Sequence, residues 1–553
     1  MKRFLFLIVI IFSLGTILPL FPQGLFPIHD DTQVARVLTM SNSLRDGMIP
    51  VRWVNLLGYN YGYPIFNFYA PLAYYIGAIL SLMGFGVIGG TKVMFGLGMV
   101  VAGLTMYFLA SSIFSKKAGI VASIFYLYAP YHALDLYVRG AIGELWAYAL
   151  LPLPFWGLWK LYATKRFRYV ILTSLGLALI IISHNLTALM VMPFLVIFAV
   201  ILSTRGNKKR TISSQMFGSI ILGVLLSGFY FLPALLELKY TNVSEILGGG
   251  SNPLDHFVCL SQLWQGRWGY GGSVPGCVDG MSFILGKLHI LAIVGGLIST
   301  WYFWSRKEKQ LFYLSLSILS CLAVSLFLTL SISQPIWKSI GVMKYFQFPW
   351  RFLVIAACTS SLLAGLVVKA VETKNATFAT VLSLLLVVGV IGLDTKYFKP
   401  QNFITDTSAF TQEGQIVYSV SKISDEYLPQ GIIKPKTSGQ VPHTLIQPTQ
   451  GTIDSVLVEA STQKKKISLV VPSQTSVKLN LAFFPAWQIS LDNKHITPQV
   501  SHGLYVLSLP KGEHQITADF VQTPVEKLGN SMTLVGICLS FVGIIVSRRA
   551  KTL

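Results

Sequence analysis

The chain has 553 residues, of which 53% are hydrophobic and only 12% are charged, about half the charged fraction of a soluble domain. The net charge of +21 would suit a nucleic-acid partner in a soluble protein, but here the lysines and arginines lie in short loops between apolar runs. The composition therefore excludes a soluble fold and a nucleic-acid partner, and it indicates a protein that crosses a membrane many times.

Apolar runs close to the roughly 20 residues that cross a bilayer recur along the chain. The first follows Lys2 and Arg3, is long for a signal peptide and has no small-x-small cleavage site before Pro22, which favours an uncleaved helix. The sequence predicts about twelve spans, at residues 3–22, 91–114, 118–132, 145–162, 169–183, 186–203, 212–234, 285–304, 310–331, 351–370, 377–394 and 528–546.

Basic clusters separate these spans, and their positions predict the orientation of the chain. They lie at Lys2-Arg3, Lys116-Lys117, Lys165-Arg166-Arg168, Arg205 with Lys208-Lys209-Arg210, Arg306-Lys307-Lys309 and Arg548-Arg549-Lys551. If all are cytoplasmic, the spans alternate without contradiction and both termini lie inside the cell. We therefore expect a protein of a cytoplasmic membrane.

Two segments do not fit simple crossings. Residues 66–88 look like a span, but counting them would reverse the orientation downstream, so we expect a helix that dips into the outer leaflet beside a cavity. Segment 132–144 contains Asp135, Arg139 and Glu144, each of which would cost roughly 2.5–3.5 kcal/mol in lipid. It should therefore lie at the outer face or line a cavity.

The long run from Tyr169 to Ser203 requires two crossings, and the polar residues 183–185 supply a break. This places His184 at the outer end of a helix pair. The side chain could hydrogen-bond a substrate, although we favour the interpretation that it caps the break.

Residues 395–527 read differently from the rest, as alternating strands separated by turn residues. The predicted strands include QIVYSV, ISLVV, SVKLNLAFF, WQISLD, GLYVLSL and HQITADF. We expect an extracytoplasmic β-sandwich-like or jelly-roll-like domain. The predicted organisation is a transmembrane domain at 1–394 with outer loops 23–90 and 235–284, the β domain at 395–527, and a final helix with a basic tail at 528–553.

Two cysteines, Cys259 and Cys277, fall in the long outer loop. A disulfide there would add roughly 3 kcal/mol of stability and would require an oxidising compartment. Two reduced thiols are the alternative.

The first outer loop, residues 23–65, contains the residue types that an active site for a phosphate ester needs. Asp30 and Asp31 could supply a base, Arg36 and Arg52 could hold a phosphate, and nearby aromatic residues could bracket a sugar. A hydrated loop in which the acidic pair caps a helix explains the same residues.

Several motifs, in order along nearly the whole chain, resemble one family of membrane proteins. They are HDDTQVARV (29–37), DGMIPVRW (46–53), GYNYGYPIFNFYAPLAYY (58–75), YHALDLYVRGAIGELWA (131–147), SHNLTALM (183–190), WGYGGSVPGCVDGMSF (268–283), FQFPWRF (346–352), FFPAWQISLDNK (483–494) and LPKGEHQITADF (509–520). The chain resembles bacterial membrane proteins with the "6-pyruvoyl-tetrahydropterin synthase-related" domain, which are similar to the YfhO-type proteins and to the GT-C glycosyltransferase superfamily. Pterin chemistry is not expected, because the nine histidines show no close metal spacing such as HxH.

The superfamily resemblance implies an inverting transfer of a sugar from a polyprenyl-phosphate carrier to a cell-envelope acceptor at the outer face. It implies that an Asp in the first outer loop is the general base, in some relatives with a divalent metal nearby. The matching position is Asp30 or Asp31, and we lean towards Asp30. Two close carboxylates would raise one pKa unless a cation is present, so one of them could also be a metal ligand.

The remaining candidate substrate-binding residues each have a structural alternative, such as headgroup contact, loop packing, a helix cap or an interface anchor. They are Arg36, Arg52, Arg139, Glu144, His184 and Arg351. Trp264, Trp268 and Tyr270 could stack on sugars or fill the long loop.

The competing interpretation of the whole chain is a non-catalytic lipid or glycan transporter, or an envelope-assembly scaffold on the same fold. Transporters usually place ionisable residues in mid-span and show internal repeats. Here we find no repeat, and the charges gather near one face. The β domain could bind carbohydrate, shape an acceptor site or contact other proteins.

Overall fold

The computed structural model describes residues 5–204, 209–243, 252–451 and 453–549. Of the basic residues used to predict the orientation, Lys2, Arg3, Arg205, Lys208 and Lys551 lie outside these ranges. The helices are α1 Leu5–Ile17, α2 Gln33–Arg45, α3 Ile65–Phe68, α4 Leu72–Leu80, α5 Gly86–Ile113, α6 Lys116–Tyr128, α7 Pro130–Leu134, α8 Ile142–Leu150, α9 Pro152–Thr164, α10 Arg168–Ile181, α11 Asn185–Ser203, α12 Lys209–Leu226, α13 Gly228–Leu236, α14 Leu260–Trp264, α15 Lys287–Ser305, α16 Lys309–Thr329, α17 Gln334–Ser339, α18 Leu353–Glu372, α19 Ala376–Asp394, α20 Ser408–Thr411, α21 Glu413–Ile423 and α22 Pro524–Arg549.

Seven helical stretches in the described residues are long and apolar enough to cross a membrane, or eight if the bent pair α12–α13 is one span. Each of the twelve predicted runs overlaps a helix, but the predicted count of twelve is not confirmed. Several runs form helices shorter than a span: α1 has 13 residues and α10 has 14. The predicted run 145–162 is divided between α8 and α9, where Pro152 begins the second helix.

A tight turn folds α4 back against α5. Gly84 and Gly86 have positive φ angles of 106° and 67°, which glycine adopts without a steric penalty. The two helices then pack so closely that a Cβ on Gly90 would lie 2.7 Å from the carbonyl oxygen of Gly77. At nine residues, α4 is roughly 14 Å long, so it is too short to cross a bilayer alone.

The bundle has two distinct ends. Basic turns join α5 to α6, α9 to α10 and α15 to α16 at one end, which we call the basic end. There Lys117 Nζ donates to the carbonyl oxygen of Ala376 at 2.9 Å. The first loop and the long loop lie at the opposite end, called the loop end. Helix α18 runs between the ends through the middle of the bundle, and 89% of its most apolar window is buried.

Two antiparallel sheets form the β domain. Its strands are β1 Ile446–Pro448, β2 Asp454–Ala460, β3 Lys464–Val471, β4 Thr475–Ala482, β5 Trp487–Leu491, β6 Lys494–Ile496, β7 Gln499–Ser501, β8 Leu504–Leu509 and β9 Gly512–Phe520. The strand orders are β1-β4-β8-β7 and β2-β3-β9-β5-β6. Ile467 and Ile516 of the second sheet meet Leu479 and Leu481 of the first around one small cavity, which places the sheets face to face.

One predicted strand is wrong. QIVYSV, at residues 415–420, lies within helix α21. Its buried residues Ile416, Val417, Val420 and Ser421 follow a helical rather than an alternating spacing, and they pack on the first loop. The apolar run was too short for its periodicity to distinguish the two structures.

Candidate functional site

The first loop is fixed to the turn that follows α7. The backbone N–H groups of His29 and Asp30 donate to the carbonyl oxygens of Val138 and Arg139 at 3.0 and 2.9 Å. Gly140 has a φ of 62°, and a Cβ at this position would collide with Ile28. The close approach therefore depends on glycine, and it sets Asp30 directly beside the backbone of Arg139.

Below this junction lies a buried cluster of four charged side chains. Glu144 accepts from Arg139 Nη2 at 2.9 Å and lies 3.5 Å from Arg351 Nε, while Arg139 also pairs with Asp135. Tyr131 donates its hydroxyl to Glu144 at 2.6 Å. The formal charges sum to zero, which is the condition under which a buried ion cluster is tolerated.

Arg351 has donors that the protein does not use. Its Nη1 donates to the carbonyl oxygen of Phe346 at 2.9 Å and to Gln347 Oε1 at 3.1 Å. Its Nη2 has no hydrogen-bond partner among the residues described. Arg351 is only 9% exposed, so it does not sit at an open interface as an anchor would. An arginine with free donors beside a cavity can bind a phosphate.

The two acidic residues of the first loop face different surroundings. The negative charge of Asp30 acts on Tyr69 and on Arg351, and its backbone N–H donates to Arg139, so Asp30 lies near the ion cluster. Asp31 lines a small cavity with Lys92 and Phe95, and burial alone raises its pKa to about 6. Neither carboxylate caps α2: the N-cap residue is Thr32, without a side-chain cap hydrogen bond.

Tyr69 lies near both Asp30 and Arg36. Burial raises the pKa of Tyr69, the Arg36 guanidinium opposes the rise, and the charge of Asp30 adds to it. The guanidinium carbon of Arg36 lies 4.0 Å from the ring centre of Tyr69. Tyr74 donates its hydroxyl to Gln33 at 2.6 Å. Aromatic rings and hydrogen bonds therefore hold the side chains at the start of α2.

An apolar groove of about 440 Å³ lies within the bundle. It is lined by residues of α5, α9, α11, α16 and α18, among them Leu109, Phe155, Val191, Cys321 and Ile355. Ile355, which lines the groove, lies near the start of α18, four residues after Arg351. From Val191 to Ile201, the groove follows α11 for about 15 Å.

The groove is open to the outside of the bundle between α11 and α16. Ile197 and Leu316 line it and are 54% and 44% exposed, and the lining residues carry no formal charge. Such a groove suits a hydrocarbon chain entering sideways from lipid.

Two predicted phosphate-binding residues have protein partners instead. Arg36 donates to Ser424 at 2.7 Å and lies 3.8 Å from Glu426. Arg52 donates to Asn67 at 2.8 Å and to Asn530 at 2.9 Å. Both guanidinium groups are buried, and they join the first loop to later parts of the chain rather than facing the groove.

His184 is the N-cap of α11, where its Nδ1 accepts from the backbone N–H of Thr187 at 3.3 Å. This matches the favoured interpretation of the break. Its charge state nevertheless acts on Glu144, so it borders the ion cluster.

The long loop covers the first loop from outside. Within it, a disulfide joins Cys259 to Cys277, whose Cα atoms are 5.6 Å apart. His29 Nε2 lies 2.9 Å from the carbonyl oxygen of Tyr270. The ring of Trp268 packs on Tyr397 at 4.8 Å, whereas Trp264 is 53% exposed.

The described residues contain no group of three or more His, Cys, Asp or Glu side chains that could hold a metal ion. Asp30 and Asp31 face different surroundings, so the acidic pair does not form a shared ligand set.

Sequence reasoning identified the charged residues but missed Tyr131, Gln33 and the groove. Tyr131 lies in the quoted motif that contains Arg139 and Glu144, which was a usable signal. The groove had none, because its lining residues are ordinary apolar residues from five helices distant in sequence.

The profile of the 6-pyruvoyl-tetrahydropterin synthase related domain, a membrane-protein domain, matches residues 66–398. An uncharacterized protein of Lactococcus lactis subsp. cremoris (strain MG1363) is 26% identical over 284 residues, covering 48% of this chain and 45% of the relative. The chain therefore matches less than half the length of that relative.

Solved structures of oligosaccharyltransferase from Archaeoglobus fulgidus are also similar. The complex with Zn and sulfate is 14% identical with a TM-score of 0.46, over 80% of this chain and 58% of that one. The complex of the archaeal oligosaccharyltransferase AglB with an inhibitory peptide and a dolichol-phosphate is 13% identical with a TM-score of 0.42, over 71% and 55%.

Proposed function

The chain belongs to the family of membrane proteins with the 6-pyruvoyl-tetrahydropterin synthase related domain, and within that family we propose that it is a glycosyltransferase. The proposed donor is a sugar on a polyprenyl-phosphate carrier, and the proposed acceptor is a hydroxyl group of a cell-envelope molecule. Transfer takes place at the loop end of the bundle and inverts the anomeric carbon.

One observation carries this proposal: Arg351 belongs to the ion cluster beside the Asp30 loop, and it comes four residues before Ile355, which lines the open apolar groove. A polyprenyl phosphate needs a hydrocarbon-lined channel for its chain and a cation for its head. The groove offers the channel and Arg351 offers the cation, and Ile355 of the groove comes four residues after Arg351. The sugar would then extend from the phosphate towards Asp30.

Each side chain has a defined role in the transfer. The Asp30 carboxylate takes the proton of the acceptor hydroxyl as its oxygen attacks the anomeric carbon from the face opposite the phosphate. The bond between that carbon and the phosphate oxygen breaks, and its electron pair stays on the phosphate. Arg351 stabilises the charge that develops there.

Glu144 and Arg139 are positioning residues in this scheme. Glu144 holds Arg351 through its carboxylate, and Arg139 holds both Glu144 and, through its backbone carbonyl, the Asp30 loop. His184 completes the helix break beside them.

The test measures release of free polyprenyl phosphate from a panel of polyprenyl-phosphate-linked hexoses by the purified full-length protein in lipid vesicles. We expect Asp30→Asn to abolish release while carrier binding is retained, and Arg351→Gln to weaken carrier binding. Asp31→Asn is the matched control, because it makes the same replacement of a carboxylate by an amide at the neighbouring position of the first loop. Wild-type release by Asp30→Asn would refute the base assignment, and carrier binding without turnover of any donor would favour a transporter.

We also infer that the loop end faces the outside of a bacterial cytoplasmic membrane, with the β domain outside. The basic turns at the other end support this orientation. In a variant lacking the free cysteines, a membrane-impermeant maleimide should label Lys399→Cys in intact cells but not Lys307→Cys. Labelling of Lys307→Cys alone would reverse the orientation.

A further inference from the structure

The turn between α4 and α5 is apolar and stands out from the bundle. Ile79, Leu82, Met83 and Phe85 are 51%, 40%, 70% and 55% exposed, and residues 76–91 contain no charged side chain. An exposed apolar surface without charges is unfavourable in water and favourable in hydrocarbon.

Beside this turn is an open cleft of about 470 Å³. Its lining includes the apolar side chains of Phe21, Phe85, Ile88 and Val93. It also includes Gln23, Gly24, Thr405 and Thr407, which supply polar groups. This cleft is separate from the apolar groove, because it has no lining residue in common with it.

Lys92 lies in the wall of this cleft without a counter-ion. The residue is only 6% exposed, and its ammonium group donates to one acceptor, the carbonyl oxygen of Pro22, at 2.7 Å. An ammonium group has three donors, and no carboxylate among the described residues forms an ion pair with it. Asp31 lines the small cavity behind Lys92, but burial raises the pKa of Asp31 with no opposing contribution from a cation.

A buried cation is costly unless an anion compensates it. The ligand that fits must therefore carry a negative charge at Lys92, accept hydrogen bonds from hydroxyl and amide groups, and cover the apolar side chains of the lining. A lipid with a phosphate diester headgroup meets all three requirements: its phosphate faces Lys92 and its chains follow Phe85 and Ile88 past the apolar turn.

We propose that this cleft, which we call the Lys92 cleft, binds the headgroup of an anionic phospholipid. The bound lipid holds the α4–α5 turn and the start of the first loop together, because the cleft is lined both by Lys92 of α5 and by Pro22, which directly precedes the first loop. The proposal is independent of glycosyl transfer, since it involves neither Asp30 nor Arg351.

The experiment uses the full-length protein, delipidated in neutral detergent, and follows its thermal unfolding midpoint by tryptophan fluorescence. Three probes are added separately: phosphatidylglycerol, zwitterionic phosphatidylcholine and inorganic phosphate. We expect phosphatidylglycerol alone to raise the midpoint of the wild-type protein. An equal rise with phosphatidylcholine would show a general lipid effect, and an equal rise with inorganic phosphate would show a free-anion site; either result would overturn the proposal.

Lys92→Met separates a lipid-binding lysine from a structural one. Because the substitution removes an uncompensated buried charge, we expect an unfolding midpoint without lipid at least as high as that of the wild-type protein. The apparent affinity for phosphatidylglycerol should fall roughly tenfold, as expected for the loss of one charge-assisted hydrogen bond. Lys399→Gln, an exposed lysine at the same end of the bundle, should behave as wild type.

An unchanged affinity in Lys92→Met would overturn the proposal. If that variant does not fold, native mass spectrometry of the wild-type protein decides the matter. One phosphatidylglycerol should stay bound when phosphatidylcholine has dissociated, and retention of neither lipid would count against the site.

Discussion

Removing the charge of Glu144 tests whether the buried ion cluster is the structural centre of the site. Glu144→Gln keeps the shape of the side chain, leaves Arg139 paired with Asp135 and removes the ion-pair partner of Arg351. Breaking a buried ion pair by removing one partner costs about 3–5 kcal/mol. Glu144 accepts from Arg139 at 2.9 Å and from Tyr131 at 2.6 Å and lies 3.5 Å from Arg351, which places the expected loss in the upper part of this range.

The assay is the free energy of unfolding in mixed micelles, measured by titration with a denaturing detergent. The double variant Glu144→Gln, Arg351→Gln serves as the control. Because it removes both partners, its loss should be smaller than the sum of the two single losses by roughly 0.5–3 kcal/mol. Additive losses, or a loss below about 1 kcal/mol for Glu144→Gln, would refute the cluster as described.

Three further predictions concern the surroundings of the site. Asp31→Asn should stabilise the protein above pH 6 and have no effect near pH 3.8, because burial raises the folded-state pKa of Asp31 from 3.8 to about 6. Unfolding midpoints measured from pH 4 to 8 should show the difference between variant and wild type growing up to pH 6 and then levelling off. A difference that is constant over this range would contradict the prediction. Thr462→Val removes the hydroxyl that donates to Asp46 at 2.6 Å and should lower the free energy of unfolding by about 1–3 kcal/mol, measured by detergent titration. The control is Thr449→Val, whose hydroxyl donates to Ser476 within the β domain. Cys259→Ser with Cys277→Ser should cost roughly 3 kcal/mol and expose the long loop to proteolysis, and an unchanged cleavage pattern would count against the disulfide.

The general architecture could be predicted because its signals are local. Apolar runs, basic turns and the change to alternating strands after residue 395 each depend on residues close in sequence. That residues 66–88 dip into the outer leaflet stays a prediction; the structure shows that α4 folds back on α5. The number of spans could not be predicted, because burial inside the bundle lets helices such as α10, with 14 residues, be shorter than the bilayer is thick.

The site was predicted residue by residue but not as an arrangement. Asp30, Arg139, Glu144 and Arg351 were all candidates, yet nothing in the sequence showed that Arg351 pairs with Glu144 across 207 positions of chain. Arg36 illustrates the opposite failure, because its partner Glu426 lies three residues after the helix Glu413–Ile423, within which a strand was predicted. Contacts between distant segments decide which arginines are free to bind a ligand.

The most direct test of the proposed donor site uses Cys321, which lines the apolar groove and is partly exposed. Its modification rate by N-ethylmaleimide is measured with and without polyprenyl phosphate, with exposed Cys538 on α22 as the internal control. We predict that polyprenyl phosphate slows modification of Cys321 but not of Cys538, and that Arg351→Gln removes the protection. Equal rates with and without polyprenyl phosphate in the wild-type protein would contradict the account.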